Sequence, residues 1–275
     1  MTESPSKVGV YGGGRMGAGI AHAFAVVGAQ VTVIEGDEPA AEAARERVEK
    51  GLAKAAEKGV NATGNITVVT DPTALADTEL VIEAVPELVD LKRRILTVIA
   101  DVAPHAAIGS NTSSLSIDQI AKHLPDPGRV IGLHFFNPVP VSDLVEVVVG
   151  SRTTPELVEQ AQRWVAGLGK TAITVTDSPG FASSRLGVAI ALEAMRMLDE
   201  GVASAEDIDT AMTLGYRHPV GPLKTTDIVG LDVRLAIAEH LTGELGPRFT
   251  PPKVLRDKVA AGHLGRKTGQ GFYTW

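Results

Sequence analysis

A glycine-rich turn near the start of the chain constrains the fold more than any other feature. A short apolar segment, 7–11, precedes it, a second one, 30–34, follows it, and the turn reads Gly12-Gly13-Gly14-Arg15-Met16-Gly17. Its G-x-G-x-x-G spacing permits a tight turn, lets a pyrophosphate approach the backbone and lets helix and strand pack closely. We predict a dinucleotide-binding βαβ unit contacting its ligand through Gly12, Gly14, Arg15, Met16 and Gly17.

An acidic residue stands directly after the second apolar segment, where such sites bind the ribose hydroxyls. This residue is Glu35, and the three residues that follow it include no basic side chain. A carboxylate there repels the additional phosphate of NADP, so we predict NAD as the cofactor. The alternative is a βαβ unit whose glycines serve only packing.

The composition excludes several classes of function. The chain has 275 residues, a net charge of -7 and no cysteine. The charge argues against a nucleic-acid surface, and the lack of cysteine excludes disulfides, thiolate catalysis and Cys-bound metals. The histidines lack metal-ligand spacing, so we expect no metal. No apolar run is long enough for a membrane span, and the short polar N-terminus leaves no room for a signal peptide, so we expect a cytoplasmic protein.

The order of predicted elements indicates two domains. Strands alternate with helices up to Asp177, which predicts an α/β domain, 1–177, with a doubly wound, mostly parallel Rossmann-type sheet. Strand signals then stop, and an all-helical C-terminal domain, 178–275, follows, with helices expected at 181–200, 204–215, 222–241 and 252–261. No long linker separates the two domains, so we expect them to pack together with a cleft between them.

The predicted helix 188–198 is apolar around most of its circumference, which indicates burial on more than one side. A small helical domain has few ways to bury such a helix alone. We therefore expect a homodimer formed through the helical domain.

Polar residues end several predicted strands, at the edge where open α/β sheets bind their ligands. His134 lies in an apolar strand end, and Glu146 lies in the next apolar strand. The turn between these strands would allow the two side chains to lie side by side. A neutral imidazole beside a nicotinamide can accept an alcohol proton, and a buried carboxylate can orient it. The alternative is a structural histidine.

Seven segments together resemble the L-3-hydroxyacyl-CoA dehydrogenase family, in particular its short, single-function form. The resemblance runs from Val8 to Trp275. The segments are 12–21, 81–87, Ser110-Asn111-Thr112-Ser113-Ser114-Leu115, His134-Phe135-Phe136-Asn137-Pro138-Val139-Pro140, 178–181, 221–223 and 264–273.

The resemblance implies roles for individual residues. His134 would be the general base, Glu146 its orienting partner, and Ser113 a hydrogen-bond donor to the substrate oxygen that also lies near the cofactor. Lys58 matches a lysine that meets the phosphates of coenzyme A, and Lys54 lies one turn earlier on the same predicted helix. NAD contacts are implied for Glu35, Glu87, Lys92, Asn111, Ser113, Asn137 and Lys267. The alternatives to these binding roles are that Ser113 only caps a helix and that the lysines are ordinary solvated surface residues.

One position departs from the family pattern. Ser184 stands where the family often has asparagine in the motif Pro-Gly-Phe-x-x-Asn-Arg-Leu. A serine can still donate one hydrogen bond, but its reach is shorter, which puts the substrate contact at this catalytic position in question.

The sequence therefore predicts reversible, NAD-dependent oxidation of an L-3-hydroxyacyl-CoA, such as 3-hydroxybutyryl-CoA, to the 3-ketoacyl-CoA. Two alternatives stay open at this point. One is a dehydrogenase of a free hydroxy acid or sugar acid, as in the lambda-crystallin-like L-gulonate dehydrogenases. The other is a non-catalytic, NAD-binding structural protein.

Overall fold

The computed structural model describes residues 4–275, which form two compact units, one ending at Ser178 and one spanning Pro179–Trp275. The first unit is built on one eight-stranded sheet with the strand order β3-β2-β1-β4-β5-β6-β7-β8. Its strands are β1 Lys7–Tyr11, β2 Gln30–Ile34, β3 Asn65–Val69, β4 Leu80–Glu83, β5 Ala107–Ser110, β6 Val130–Phe135, β7 Leu144–Val149 and β8 Thr171–Thr176.

The sheet confirms the predicted doubly wound, mostly parallel architecture. Six neighbouring strand pairs are parallel, and β6 with β7 is the antiparallel pair. The strand order reverses beside β1, which has β2 on one side and β4 on the other. In open α/β sheets, ligands bind beyond the carboxyl ends of the strands at such a reversal.

The helices of the first unit are α1 Arg15–Val26, α2 Glu38–Ala56, α3 Val89–Val102, α4 Ile117–Ile120 and α5 Pro155–Gly167. The sequence predicts one helix that contains both Lys54 and Lys58, over 38–58, but α2 ends at Ala56. The chain turns away after Ala56, with Gly59 at a φ of 77° and the Val60 N–H bonded back to the Ala55 carbonyl. Lys54 therefore lies on α2, whereas Lys58 lies in the turn that follows it.

The glycine-rich turn brings α1 unusually close to β1. A Cβ atom built on Gly17 would lie 1.7 Å from the Gly12 carbonyl oxygen, a separation that no side chain tolerates. Gly12 itself has a φ of 100°, which favours glycine. The sequence spacing thus reflects a steric requirement of this strand–helix junction.

The second unit confirms the predicted all-helical C-terminal region. Its elements are α6 Ser183–Asp199, α7 Ala205–Thr210, a π-helical turn at Ala211–Gly215, α8 Pro222–Val229, α9 Leu231–Leu245 and α10 Lys253–Ala260. The expected single helix 222–241 is two helices, because the chain turns at Gly230, where φ is 111°. That conformation is closed to most side chains, so the glycine marks a true break.

A buried aspartate holds the end of the chain onto the helical core. Asp227, 1% exposed, accepts hydrogen bonds from the backbone N–H groups of Phe272 and Tyr273 and from the Trp275 indole. The core beneath it contains Leu192, Met195 and other apolar side chains of α6, α8, α9 and α10. Within residues 4–275, no helix has both the length and the apolar character that crossing a membrane requires.

Candidate active site

A histidine–carboxylate pair lies at the antiparallel strand pair of the first unit. The register of β6 and β7 places His134 directly opposite Glu146, and His134 Nδ1 lies 2.7 Å from Glu146 Oε2. Both residues are buried, His134 at 7% and Glu146 at 0% exposure, and the Phe136 ring packs 4.5 Å from the imidazole. A carboxylate on Nδ1 favours the proton on that nitrogen and stabilises the imidazolium when the ring gains a second proton.

Asn111 fixes the position of the histidine strand. It directly follows β5, and its side-chain oxygen accepts a hydrogen bond of 2.9 Å from the Phe135 N–H. This bond joins the carboxyl ends of β5 and β6 one residue from His134. The Asn111 side chain is thus part of the framework that positions the imidazole.

Glu87 organises the loop that follows β5. Its Oε1 atom accepts hydrogen bonds from the Thr112 hydroxyl at 2.6 Å and from the N–H groups of Ser113 and Ser114 at 2.8 and 3.0 Å. Burial alone would raise the pKa of the Glu87 carboxyl, but the charge of Lys92 and these donors outweigh burial and lower it. Glu87 is therefore ionised at neutral pH and holds the predicted substrate-contacting Ser113 in place.

Lys92 lies beneath this loop in a buried network of charges. Its ammonium is 2.7 Å from Glu83 Oε1, 3.3 Å from Glu87 Oε2 and 3.2 Å from the Val85 carbonyl oxygen. The second carboxylate oxygen of Glu83 accepts a 2.7 Å hydrogen bond from the Ser110 hydroxyl. The Lys92 side chain is 1% exposed and fully engaged in this network, so its cofactor contact stays a prediction.

The glycine-rich turn is tied to the acidic residue that ends β2. Glu35 Oε1 accepts a 2.6 Å hydrogen bond from the Gly13 N–H. The first turn of α1 has no side-chain cap, and a Cβ atom on Gly14 would meet open space. An uncapped helix N-terminus beside an open approach suits a pyrophosphate, so the contact of this turn with the cofactor stays a prediction that the geometry allows.

The two predicted coenzyme A lysines line one groove of the first unit. Lys54 and Lys58 border a cavity of about 360 Å³ whose walls come from α1, α2 and the segment between β6 and β7. Two residues of this groove were missed by the sequence reasoning. Lys170 donates to the Val139 and Ser142 carbonyls, and His22 is buried with both ring nitrogens lacking a hydrogen-bond partner.

The remaining predicted site residues lie outside these clusters. Asn137 is exposed and precedes the cis peptide bond to Pro138. Ser184 and Lys267 belong to the second unit. There, Ser184 is half-buried in the first turn of α6, and the Lys267 ammonium lies 2.5 Å from Asp232 Oδ1.

Comparisons with known proteins match both units of this chain to one family. The model described as the NAD-binding domain of 3-hydroxyacyl-CoA dehydrogenase matches residues 7–178, and the C-terminal domain model of the same description matches residues 180–275. The chain belongs to the 3-hydroxyacyl-CoA dehydrogenase family. This confirms the resemblance seen in the sequence.

Individual members of the family are similar over their full length. A 3-hydroxybutyryl-CoA dehydrogenase of Mycobacterium tuberculosis is 41% identical, with all of both chains covered. The mitochondrial hydroxyacyl-coenzyme A dehydrogenase of Sus scrofa is 37% identical, covering 98% of this chain and 90% of that protein. The crystal structure of (S)-3-hydroxybutyryl-CoA dehydrogenase from Ralstonia eutropha superposes with a TM-score of 0.92 at 40% identity, covering 99% of each chain.

The family places the chain among NAD-dependent oxidoreductases and confirms NAD as the cofactor predicted from Glu35. The residues that fit this cofactor are the open glycine-rich turn and the uncapped start of α1. The buried Glu83–Lys92 pair was harder to foresee. The sequence pattern that could have indicated this pair is a single acidic residue, Glu83, at the end of the apolar strand β4, nine residues before Lys92 on α3.

The buried pair leads to a stability prediction for this dehydrogenase. Replacing Lys92 by Met removes the cation that compensates the fully buried Glu83, and we expect a loss of roughly 3–5 kcal/mol in the free energy of unfolding. Urea unfolding followed by circular dichroism measures it. Lys50→Met is the matched control, because Lys50 forms an exposed pair with Glu46 and should cost less than about 1 kcal/mol. Equal losses in the two variants would refute the assigned role of Lys92.

Proposed function

We propose that this chain catalyses the reversible oxidation of an L-3-hydroxyacyl-CoA, such as 3-hydroxybutyryl-CoA, to the 3-ketoacyl-CoA, with His134 as general base and Glu146 as its orienting partner. The observation that carries this proposal is the buried 2.7 Å contact between His134 Nδ1 and Glu146 Oε2 at the ligand-binding edge of the sheet. The relatives named 3-hydroxybutyryl-CoA dehydrogenase support the choice of substrate.

The proposed proton path uses the ring nitrogen opposite Glu146. In the oxidation direction, His134 Nε2 accepts the proton of the substrate hydroxyl, and Glu146 stabilises the resulting imidazolium through Nδ1. Bound NAD supplies the acceptor for the hydride from the substrate carbon. In the reduction direction, the imidazolium donates its proton to the ketone oxygen as the ketone is reduced to the alcohol. Such acid–base catalysis typically contributes about 10²–10⁴ in rate.

Ser113 is the proposed contact to the reacting end of the substrate in the first unit. The Ser113 N–H is held by Glu87, while its hydroxyl lies 3.3 Å from the same carboxylate oxygen. The backbone bond can therefore persist while the hydroxyl turns to donate to the substrate oxygen. Ser184 offers one further donor in the position where the family often has asparagine.

The phosphates of coenzyme A are assigned to the groove beside α2. Lys54 and Lys58 supply positive charge there, and Val26, Val60 and Val141 supply apolar surface. This combination suits a nucleotide that carries phosphates next to an apolar ring system. The arrangement supports a CoA thioester over a free hydroxy acid or sugar acid, which would leave these lysines without a ligand.

We also propose that the enzyme forms a homodimer through its helical unit and acts in the cytoplasm. Leu186 and Ile190, one turn apart on α6, are 63% and 38% exposed, and Val233 on α9 is 41% exposed. Exposed apolar side chains of this kind mark interfaces when they cluster. The absence of cysteine agrees with a reducing compartment.

The dimer predicts a light-scattering mass of two chains at micromolar concentration. Replacing Leu186 and Ile190 together by Glu should shift the mass to one chain, because the interface would have to bury two charges. Val202→Glu is the control, since Val202 is similarly exposed, at 60%, but lies outside α6. A mass of one chain for the unmodified protein would contradict the proposal.

A substrate panel tests the proposed reaction directly. Loss of NADH absorbance is followed with acetoacetyl-CoA, with free acetoacetate, and with NADPH replacing NADH. We expect rapid turnover only for acetoacetyl-CoA with NADH, because Lys54 and Lys58 bind the CoA phosphates and Glu35 repels the 2′-phosphate of NADPH. Equal turnover of free acetoacetate would favour the free-acid dehydrogenase, and NADH binding without any turnover would favour the structural protein.

A further inference from the structure

His22, on α1, is a buried imidazole that the fold leaves without a hydrogen bond. The residue is 6% exposed, and neither ring nitrogen has a hydrogen-bond partner among residues 4–275. Burial lowers the pKa of the imidazole below its usual range. The ring is therefore neutral at neutral pH, with one nitrogen that donates and one that accepts.

This state is unusual for a buried polar side chain, because most of them are hydrogen-bonded. The other buried histidine, His134, follows the rule, since its Nδ1 atom contacts Glu146. Leaving a buried donor and a buried acceptor without partners costs stability. A ligand that offers both an acceptor and a donor to His22 would remove this cost.

His22 lies in the wall of the groove that Lys54 and Lys58 border, a cavity of about 360 Å³ within the first unit. Val26, one turn further along α1, lines the same groove, and Val60 lines it from the turn after α2. This volume is at the lower end of the range for ligand pockets. The groove therefore suits one flat ring system with its adjoining charged groups rather than a whole coenzyme.

The charges of the groove are all positive. Its ionised residues are Lys54, Lys58 and Lys170, and none of the described residues that line it is acidic. The Lys170 ammonium is already held by the Val139 and Ser142 carbonyl oxygens, at 2.7 and 2.5 Å, and so fixes the segment between β6 and β7. Lys54 and Lys58 are thus left for anions, whereas the neutral ring of His22 suits an uncharged polar group.

We propose that His22 hydrogen-bonds the adenine base of coenzyme A and makes the enzyme selective for CoA thioesters over pantetheine thioesters, which lack adenine. The inference rests on the proposed function, in which Lys54 and Lys58 bind the CoA phosphates. The edge of adenine carries an amino group that donates and ring nitrogens that accept, which matches the neutral imidazole. The buried nitrogens reach the base when the ring turns about χ2, a torsion with broad minima.

The test compares acetoacetyl-CoA with its etheno analogue, in which a two-carbon bridge blocks the amino group and the neighbouring ring nitrogen of adenine. With saturating NADH, kcat/KM for acetoacetyl-CoA should exceed that for the analogue by about threefold to tenfold, the range for neutral hydrogen bonds. His22→Leu should bring this ratio close to one, mainly through KM for acetoacetyl-CoA. His22→Gln should keep part of it, because an amide also donates and accepts. His123→Leu is the control, since His123 is exposed and lies outside the groove.

A binding measurement tests the same contact without turnover. Adenosine 3′,5′-bisphosphate is titrated calorimetrically into the NADH-saturated enzyme, and inorganic pyrophosphate is titrated in parallel. His22→Leu should weaken binding of the bisphosphate by about threefold to tenfold but not that of pyrophosphate, whereas Lys58→Met should weaken both. His22→Leu should resist urea at least as well as the unmodified protein, because it removes two unbonded polar atoms. If it does not fold, His22→Met takes its place.

Three results separate this inference from the proposed reaction. A ratio near one in an unmodified enzyme that turns over acetoacetyl-CoA would overturn the inference and leave the reaction standing. A ratio that persists in His22→Leu would overturn it as well, because the etheno bridge would then act through its bulk alone. If no CoA thioester is turned over but binding of the bisphosphate still depends on His22, the proposed reaction fails while the adenine contact stands.

Discussion

The antiparallel pairing of β6 with β7 is the constraint on which the candidate site depends. It sets His134 opposite Glu146 within a sheet whose other strand pairs are parallel. A one-residue slip in this register would turn one of the two side chains to the other face of the sheet. Asn111 secures the end of β6 by accepting the Phe135 N–H, so the imidazole is positioned by strand pairing and by a side chain of the neighbouring strand end.

A second level of organisation comes from buried charge. Glu83 and Lys92 form a buried ion pair below the loop after β5. Glu87 pairs with the same lysine and also accepts hydrogen bonds from the N–H groups of Ser113 and Ser114. This network holds the N–H groups of the loop after β5 in fixed positions.

The sequence predicted the parts of this structure that follow from local chemistry. The glycine spacing, the acid after β2 and the alternation of strands with helices predicted the Rossmann-type sheet. The apolar strand ends predicted the pair His134 and Glu146, and the resemblance implied their roles and that of Ser113. The break at Gly230 was missed because a single glycine in a helical pattern is often tolerated. The Lys92 network and the groove around His22 depend on which distant residues meet in the fold, and local periodicity does not contain that information.

The central claim is that His134 and Glu146 act as one catalytic unit, and a double-mutant cycle tests it most directly. The turnover of acetoacetyl-CoA with NADH is measured for the unmodified enzyme, His134→Gln, Glu146→Gln and the double variant, with NADH binding measured for each. If Glu146 acts only through the imidazole, the double variant is no slower than His134→Gln alone. Losses that multiply across the two sites, with NADH binding intact, would show that the residues act independently and would contradict this account.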